Sequence, residues 1–496
     1  MRHRAFVIVA LAGIAIPAGA QQPAPASSPG APGARAPITL DEAIRRAREH
    51  GLAAVAAKSS RDAARSRDRA FTARLLPQLA LEGNAADLDR GINPITLPTG
   101  ETKFVTQSQN QSAMNLTLAQ RLPWTGGRLT VGSQVSRIDL FGESNTQYWQ
   151  TTPLLVGLQQ DIFKPRALIW EQRQQEHVAS IAEQQYLEQR EDVAAGAVGA
   201  FFDLHAASLA LENAVSNVAV NDTLYVLNKG RYEVGKIGEN DLLQSELALL
   251  RSRASVDGAR LERDRAEAAL RRLLRIPVGE PIALASPPVA PQLAVDTALA
   301  MQQALANSSA SEEVELGIVQ ARRRVSEARF ANLPGATVSA MVGFNQTAPV
   351  FSQAYQALTS RQRLQVGVSM PVWQWGAGRA DLAAAHYDED RAKANAQSRR
   401  EAISEEARFA ARNLMQTRRV LEISEKADTV ASKRFEVAKN RYVIGRIGIT
   451  DLYIAQSEKD QALQAYIGAL RSYWTAYYRL RRVTLYDFAA RERIAP

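Results

Sequence analysis

The sequence predicts a mainly α-helical protein with a membrane β-region, built from two copies of one helix–strand–helix unit. Two observations lead to this prediction. Long proline-free stretches of helical periodicity are interrupted twice by segments whose apolar residues alternate, and a twelve-residue stretch that begins at Arg231 recurs at Arg441. A duplication of this size absorbs most of the 496 residues, so one repetitive architecture replaces the several domains that this length would otherwise suggest.

The N-terminus is typical of a secretory signal peptide. Arg2 and Arg4 precede an apolar run over 5–16 and then a group of small residues, so we expect 1–20 to be removed. The Pro/Ala-rich stretch 21–37 cannot bury a core and is predicted to form an extended arm. No later stretch reaches the roughly 18 uncharged apolar residues of a membrane-spanning helix, so we expect any membrane crossing to be a closed β-barrel.

The first repeat is predicted over 38–276, where Thr39 is a suitable N-cap for its first helix. Its parts are one long helix that ends at Pro77, a β-region of four strands over 77–163, a long helix over 166–228, a helix turn over 229–240 and a returning helix over 240–275.

The second repeat is predicted over 293–482, after a linker over 277–292 and before a tail over 483–496. Its parts are one long helix that ends at Pro334, a β-region of two strands over 334–372, a long helix over 379–440, a turn over 439–450 and a returning helix over 450–482.

The two β-regions differ in length. From Pro77 to Pro165 there are 88 residues, whereas the matching interval from Pro334 to Gly378 has 44. The surplus predicts an added hairpin around 112–138, which either enlarges a membrane barrel or projects outside the membrane. Four to six strands cannot close a membrane barrel alone, so several chains must pool theirs.

The two helix turns are the clearest repeat, with seven of twelve positions identical at an offset of 210 residues. Paired glycines allow the chain to reverse, and Asn240 and Thr450 are predicted to be the N-caps of the returning helices.

Composition excludes several classes of protein. The chain has no cysteine, and none of its five histidines is paired at a helical ligand spacing, so we expect no disulfide, metal site or cofactor. Lys and Arg number 60 against 51 Asp and Glu, and the charge is spread along the chain, which does not indicate nucleic-acid binding. The sequence contains no recognisable set of catalytic residues, so we do not expect an enzyme.

Together, the signal peptide, the strand entries at Leu76-Pro77 and Leu333-Pro334, and the two Arg-Tyr-x-x-Gly turns resemble the TolC family of outer membrane efflux proteins. The resemblance implies a homotrimer whose twelve-strand β-barrel in outer membrane lipid continues into a long α-helical barrel through the periplasm. It also implies an exit duct without enzymatic activity, whose helix turns meet a periplasmic adaptor (membrane fusion protein) and an inner-membrane pump. The alternative is a periplasmic coiled-coil adaptor or envelope scaffold without a pore.

The resemblance also implies an entrance gate. A family contact between a Tyr of the second turn and an Asp of the first matches Tyr442 and Asp241, and a family ring of acidic residues matches Asp451. The chain departs from the family at Ile454, where a second ring residue is expected, and at Ile447, where the prototype has Arg. The predicted adaptor contacts at the turn tips are Val234, Gly235, Lys236, Ile444, Gly445 and Arg446.

Two aromatic groups complete the prediction. The helical spacing of Tyr473, Trp474, Tyr477 and Tyr478 predicts packing between helices. Four tryptophans near strand ends are candidates for a membrane-interface girdle, namely Trp124, Trp149, Trp373 and Trp375.

Overall fold

A computed structural model describes residues 37–96, 98–142 and 145–495. The predicted signal peptide and all but the last residue of the predicted arm lie outside the described residues. From Ile38 onward the described chain forms one unit. Its α-helices are α1 Leu40–His50, α2 Leu52–Ala73, α3 Ala167–Glu233, α4 Glu239–Leu274, α5 Thr297–Asn307, α6 Ser309–Ala331, α7 Ala377–Val443 and α8 Ile449–Thr484.

The helices that precede the strands are each broken once, so the prediction of one long helix in each repeat was wrong. The breaks lie at Gly51 and Ser308, both with extended backbone angles. Ser308 lies 257 residues after Gly51, the same separation as between Pro77 and Pro334. Ser308 also caps α6 by accepting a hydrogen bond from the Ser311 backbone N–H. The break is therefore a feature of the repeated unit.

The long helices α3 and α7 have 67 residues each, which corresponds to about 100 Å at 1.5 Å per residue. By length and composition alone, α3 contains a stretch apolar enough to cross a membrane, contrary to the expectation from the sequence. The apolar residues of its middle, Ala194 to Phe202 among them, are instead packed in the main hydrophobic core. We interpret this stretch of α3 as one that packs in the core along one side, since 39% of it is buried within the chain.

The main sheet has strands β1 Gln78–Asn84, β2 Leu88–Thr96, β3 Thr102–Arg121, β4 Arg128–Phe141, β5 Thr146–Ile162, β6 Gly335–Ala348 and β7 Thr359–Ser369. All pairs are antiparallel, in the order β1-β3-β4-β5-β6-β7, and β2 pairs with the remaining length of β3. Residues 85–87 thus divide one predicted strand into β1 and β2. The first repeat therefore has five strands where four were predicted. A short hairpin of β8 Tyr486–Asp487 and β9 Glu492–Arg493 lies in the C-terminal tail.

The main core lies where α1, α3, α7 and α8 meet the linker. The predicted aromatic cluster packs there edge to face, with ring centroids 5.7 Å apart for Tyr473 and Trp474 and 5.2 Å apart for Tyr477 and Tyr478. The Tyr473 hydroxyl donates to the Pro291 carbonyl oxygen at 2.7 Å. This contact attaches the linker to α8, and the packing role predicted for the aromatic cluster is confirmed.

A buried ion-pair network holds the C-terminal tail on the same core. Glu191 of α3, 1% exposed, binds Arg48 of α1 at 2.5 Å and Arg481 of α8 at 2.8 Å. Arg481 also pairs with Asp487, which accepts a hydrogen bond from the Tyr477 hydroxyl. Burial would raise the pKa of the Asp487 carboxyl, but Arg481 and two backbone N–H groups outweigh it and hold that pKa below its ordinary value.

The candidate girdle tryptophans lie at both ends of the sheet. Trp124, Trp373 and Trp375 are strongly exposed at the end that joins the long helices. Trp149 lies at the opposite end, where its ring meets that of Phe351 at 5.0 Å. This placement is compatible with two interfacial belts, although membership of a girdle stays a prediction.

Candidate functional site

The two helix turns have the same backbone conformation. Gly235 and Gly445 have φ angles of +69° and +73°, a region that side chains rarely adopt. The backbone N–H of Lys236 donates to the Arg231 carbonyl oxygen at 2.8 Å, and the equivalent bond at the second turn measures 2.9 Å. The left-handed backbone at each glycine thus lets the next residue's N–H satisfy a carbonyl group at the end of a 67-residue helix while the chain reverses.

The returning helices begin one residue earlier than predicted. Gly238 and Gly448 occupy the N-cap positions and make no side-chain cap hydrogen bond. The predicted caps Asn240 and Thr450 are the second residues of α4 and α8. Their assignment as caps was wrong because extended backbone angles, the mark of an N-cap, occur at the glycines.

Tyr442 makes a buried contact between the two helix hairpins at this end. Its side chain is 5% exposed, and its hydroxyl donates to Oδ1 of Asn228 on α3 at 2.6 Å. The guanidinium of Arg231 lies 5.4 Å from the centre of the Tyr442 ring and donates to the Val443 carbonyl oxygen at 3.0 Å. We call Tyr442, Asn228 and Arg231 the tyrosine latch.

The predicted partner of Tyr442 is therefore corrected. A phenol has one O–H to donate, and the structure gives it to Asn228 rather than to Asp241. Asp241 is partly exposed in the first turn of α4, and Asp451 is exposed at the matching position of α8. Both carboxylates lie where the helix dipole favours negative charge. Their part in an entrance gate stays a prediction.

The latch is packed against a small apolar cluster. Leu224 of α3 lies with Phe435, Ile449 and Leu452 of the second hairpin around the Tyr442 ring. The neighbouring Tyr453 hydroxyl is buried without a hydrogen-bond partner among the described residues. Burial raises the pKa of Tyr453 to about 12, so this phenol stays neutral.

The six predicted tip residues are all exposed. Val234 and Ile444 are 67% and 65% exposed, which is high for aliphatic side chains. Lys236 and Arg446 flank them with positive charge. Each tip thus presents an apolar side chain, a glycine and a cation in the same order, a surface suited to a partner protein.

Asn228 and Arg231 were missed at the sequence level. The signal that could have found Asn228 is a break in the repeat, because the residue 210 positions later is Ala438. The repeat partner of Tyr442 is Tyr232, which is 41% exposed whereas Tyr442 is buried. The two turns share a backbone but differ in these side chains, and only the second carries a buried tyrosine.

Comparison with known proteins identifies the family to which this chain belongs. The profile of the outer membrane efflux protein family matches residues 105–274 and 300–484, well over half of the chain. The chain belongs to the outer membrane efflux protein family. It is therefore an outer membrane protein that extends into the periplasm, and its family and fold are those of transport channels rather than of enzymes.

Individual relatives agree with this assignment. Protein CyaE of Bordetella pertussis is 26% identical over 283 residues, which cover 56% of this chain and 58% of CyaE. The alignment thus spans little more than half the length of that relative.

Solved structures show the same fold. The CmeC outer membrane channel of Campylobacter jejuni matches with a TM-score of 0.63 at 16% identity, covering 92% of this chain and 87% of CmeC. The open state of the MtrE outer membrane channel of Neisseria gonorrhoeae matches with a TM-score of 0.62 at 15% identity, covering 92% of this chain and 91% of MtrE. The predicted mainly α fold with a membrane β-region is confirmed.

Proposed function

We propose that the chain is the outer membrane exit duct of a tripartite efflux or secretion system, without catalytic activity. The observation that carries the proposal is the combination of two 67-residue helices with one antiparallel sheet that carries many exposed large apolar side chains. Helices of about 100 Å can line a passage across a periplasm, and an apolar sheet face suits lipid. A scaffold without a pore has no use for such a face and is not favoured by the family.

The internal repeat supports a ring of identical chains. Within one chain, α3 packs against α8. In the internal repeat, α7 corresponds to α3 and α4 corresponds to α8, each pair being 210 residues apart. Because α3 packs against α8 within one chain, α7 of one copy is expected to pack against α4 of the next copy. Each copy has one of each surface, and such a head-to-tail contact closes into a ring. The family resemblance sets the number of copies at three.

The side chains on these two surfaces fit this assembly. Asn213 and Asn217 of α3 donate hydrogen bonds to Asp460 of α8 within the chain, the bond from Asn217 measuring 2.9 Å. The repeat converts Asn213 into Ile423 and Asp460 into Leu250, which are 69% and 56% exposed. Burying these aliphatic side chains against each other in a trimer would be favourable by about 25 cal/mol per Å² of apolar surface removed from water.

The tyrosine latch is proposed to hold the periplasmic entrance closed. It joins α3 to the end of α7, so an outward movement of the second hairpin must break the Tyr442–Asn228 bond and remove Arg231 from the Tyr442 ring. A neutral hydrogen bond contributes about 0.5–1.5 kcal/mol and a cation–π contact about 0.5–1 kcal/mol. Such a latch is weak enough for a docking partner to release. Asp241 and Asp451 are proposed to set the charge at the entrance.

The exposed tips are the proposed docking site for a periplasmic adaptor, which in turn connects the duct to an inner-membrane pump. Val234 and Ile444 supply apolar contact, and the glycines that follow them allow a close backbone approach. The two tips have equivalent backbones, so one adaptor surface can recognise both.

Conductance in planar lipid bilayers tests the duct. Purified wild-type protein is expected to show a small conductance that rises when the latch is weakened. A folded, oligomeric protein that conducts no ions in the wild type or in latch variants would contradict the proposal.

Disulfide cross-linking tests the assembly, because the chain has no native cysteine. The pair Leu250→Cys and Ile423→Cys is expected to link copies into covalent dimers and trimers. The matched control is the pair Asn213→Cys and Asp460→Cys, the equivalent contact within one chain, which should leave the mass of the monomer unchanged. Monomers in both cases would refute the ring.

A further inference from the structure

The β3–β4 hairpin lies inside the sheet rather than beside it. Along one side, β3 pairs with β1 and β2, and along the other it pairs with β4 from Ser108 to Arg121. The second strand of the hairpin, β4, pairs with β5 over almost its whole length. A hairpin that projected from the sheet would leave β1 free to pair with β5 directly, which does not occur in the described strands.

The apolar face of the sheet continues across this hairpin without interruption. Successive cross-strand partners from β1 to β6 are Leu79, Leu118, Val131, Val156 and Val342. These side chains share one face because directly paired residues in an antiparallel sheet point the same way. The hairpin therefore presents aliphatic side chains to the same surroundings as the strands on either side of it.

The opposite face is polar or small at the matching positions, with Met341 as the exception. The row next to the aliphatic one consists of Ala119, Thr130, Gly157, Met341 and Arg363. An apolar outer face and a polar inner face that alternate along each strand are the pattern of a membrane barrel with a water-filled interior. In the hairpin this pattern holds over residues 114–119 of β3 and 129–132 of β4.

The length of the hairpin equals the excess length of the first β-region. Residues 102–145 run from the start of β3 to the residue before β5, and these 44 residues equal the difference between the 88-residue and 44-residue β-intervals of the two repeats. Without them each half would contribute two strands. With them the sheet has six strand positions in a row, the first shared by β1 and β2.

We propose that the β3–β4 hairpin is part of the membrane wall, so that three copies of six strands close a barrel of eighteen strands instead of the twelve that the family resemblance implies. The proposal rests on the trimeric duct proposed above. It concerns the width of the exit: barrel diameter grows roughly linearly with strand number, so this barrel is about 1.5 times as wide as one of twelve strands.

The free edges of the sheet fit this closure. In the described sheet, β1 and β7 each pair on one side only, and unpaired backbone groups cannot remain in lipid. Six antiparallel positions leave β1 and β7 running in opposite directions, so β7 of one copy can pair antiparallel with β1 of the next. An added hairpin preserves this relation because it adds two strands. The occupant of each edge is therefore a second copy of this chain.

A barrel of this width moves the narrowest part of the duct to the helix turns. Barrels of about 16–18 strands leave an aqueous channel, whereas barrels of about eight strands are filled by side chains. The exit would then admit extended polypeptides or bulky solutes, and passage would be limited at the entrance where the tyrosine latch lies.

The test places a fluorescent bimane on single cysteines in the otherwise cysteine-free chain, reconstituted as the full oligomer in phosphatidylcholine vesicles. Leu118→Cys reports on the apolar face of β3, and Val342→Cys reports on β6 in the same cross-strand row. Thr117→Cys is the matched control, since adjacent residues of a strand point to opposite faces. Quenching is measured with nitroxides on the lipid chains and with iodide in the water.

The proposal expects lipid nitroxide to quench Leu118→Cys and Val342→Cys to within twofold of each other, and Thr117→Cys several-fold less. Quenching of Val342→Cys alone, with iodide reaching both β3 positions, would overturn the eighteen-strand barrel and leave the duct intact. Absence of lipid quenching at Val342→Cys as well would overturn the proposed function itself. If Leu118→Cys fails to assemble, Val131→Cys and Thr130→Cys provide the same comparison on β4.

Discussion

Removal of the Tyr442 hydroxyl is the most direct test of the tyrosine latch. Tyr442→Phe keeps the ring, its packing in the apolar cluster and its contact with Arg231, and removes only the hydrogen bond to Asn228. Asn228 is fully buried, and its Nδ2 already lacks a partner among the described residues. The substitution would therefore leave the whole amide unpaired in the closed state.

The expected magnitude follows from that burial. Leaving a buried acceptor unsatisfied costs about 1–3 kcal/mol. In the open state water can reach Asn228, so this cost falls mainly on the closed state. A difference of 1–3 kcal/mol corresponds to a shift of about 5- to 150-fold in the closed-to-open ratio of each copy. Three copies acting together would give a larger total effect.

The assay is single-channel conductance and open probability in planar bilayers. Tyr232→Phe is the matched control, because Tyr232 is the repeat partner of Tyr442 but is exposed, and the residue that corresponds to Asn228 is Ala438. Tyr442→Phe should raise the open probability and Tyr232→Phe should not. Asn228→Ala should raise it too, and the double variant should add little to either single change. Equal open probability in the wild type and all four variants, folded and trimeric, would refute the latch.

Three further changes probe other parts of the molecule. Ile423→Asp should dissociate the trimer, measured by light scattering in detergent, because it places a charge opposite Leu250 of the next copy, whereas the exposed Val278→Asp should have no effect. Gly235→Ala should weaken adaptor capture and destabilise the first turn by about 1 kcal/mol, because a residue with a side chain is strained at the Gly235 φ of +69°. A steric clash is not the cause, since nothing lies within 4 Å of the added Cβ. The pKa of Asp487 is lowered in the folded protein, so its contribution to stability is present above the pKa of the unfolded chain and is lost as pH falls through the lower folded pKa. Hydrogen exchange of residues 485–495 should therefore rise, relative to intrinsic rates, below about pH 4. The variant Asp487→Asn should show that rise already at pH 6.

The repetitive parts of the fold could be predicted because they follow from periodicity. The two 67-residue helices and their turns are encoded by proline-free stretches and by glycines at a fixed offset, signals that do not depend on distant contacts. The breaks at Gly51 and Ser308 were missed because one glycine or serine inside an alanine-rich helix is a weak local signal. Tertiary packing decides whether such a residue breaks the helix.

The candidate site was predicted less completely than the fold. Tyr442 was identified by its place in the turn, but its acceptor depends on how α3 and α7 pack, and that packing brings together residues 214 positions apart. An asparagine on an apolar helix face has several possible partners, and sequence spacing within one helix cannot choose among them. The same limit applies to Arg231, whose contacts are with a carbonyl group and a ring of the other hairpin.

In the proposed trimer, divergence between the two repeats would give the entrance threefold rather than sixfold character. Within one chain, Leu224 packs against Leu452 and Ile449 beside the latch. The residues that correspond to Leu224 and Ile449 in the other repeat are Arg434 and Glu239, so the equivalent contact between copies of the proposed trimer would be charged.

Two exposed aliphatic side chains can hold copies together, namely Ile423 and Leu250. They lie about three helical turns further from the tips than Arg434 and Glu239 do. In the proposed trimer, opening at the entrance and separation of the copies would therefore depend on different residues. For this reason Tyr442→Phe should raise conductance while the trimer persists, and Ile423→Asp should dissolve the trimer although the latch residues within each copy are unchanged. A latch variant that lost the trimer would show that the latch within each copy and the contact between copies are not independent.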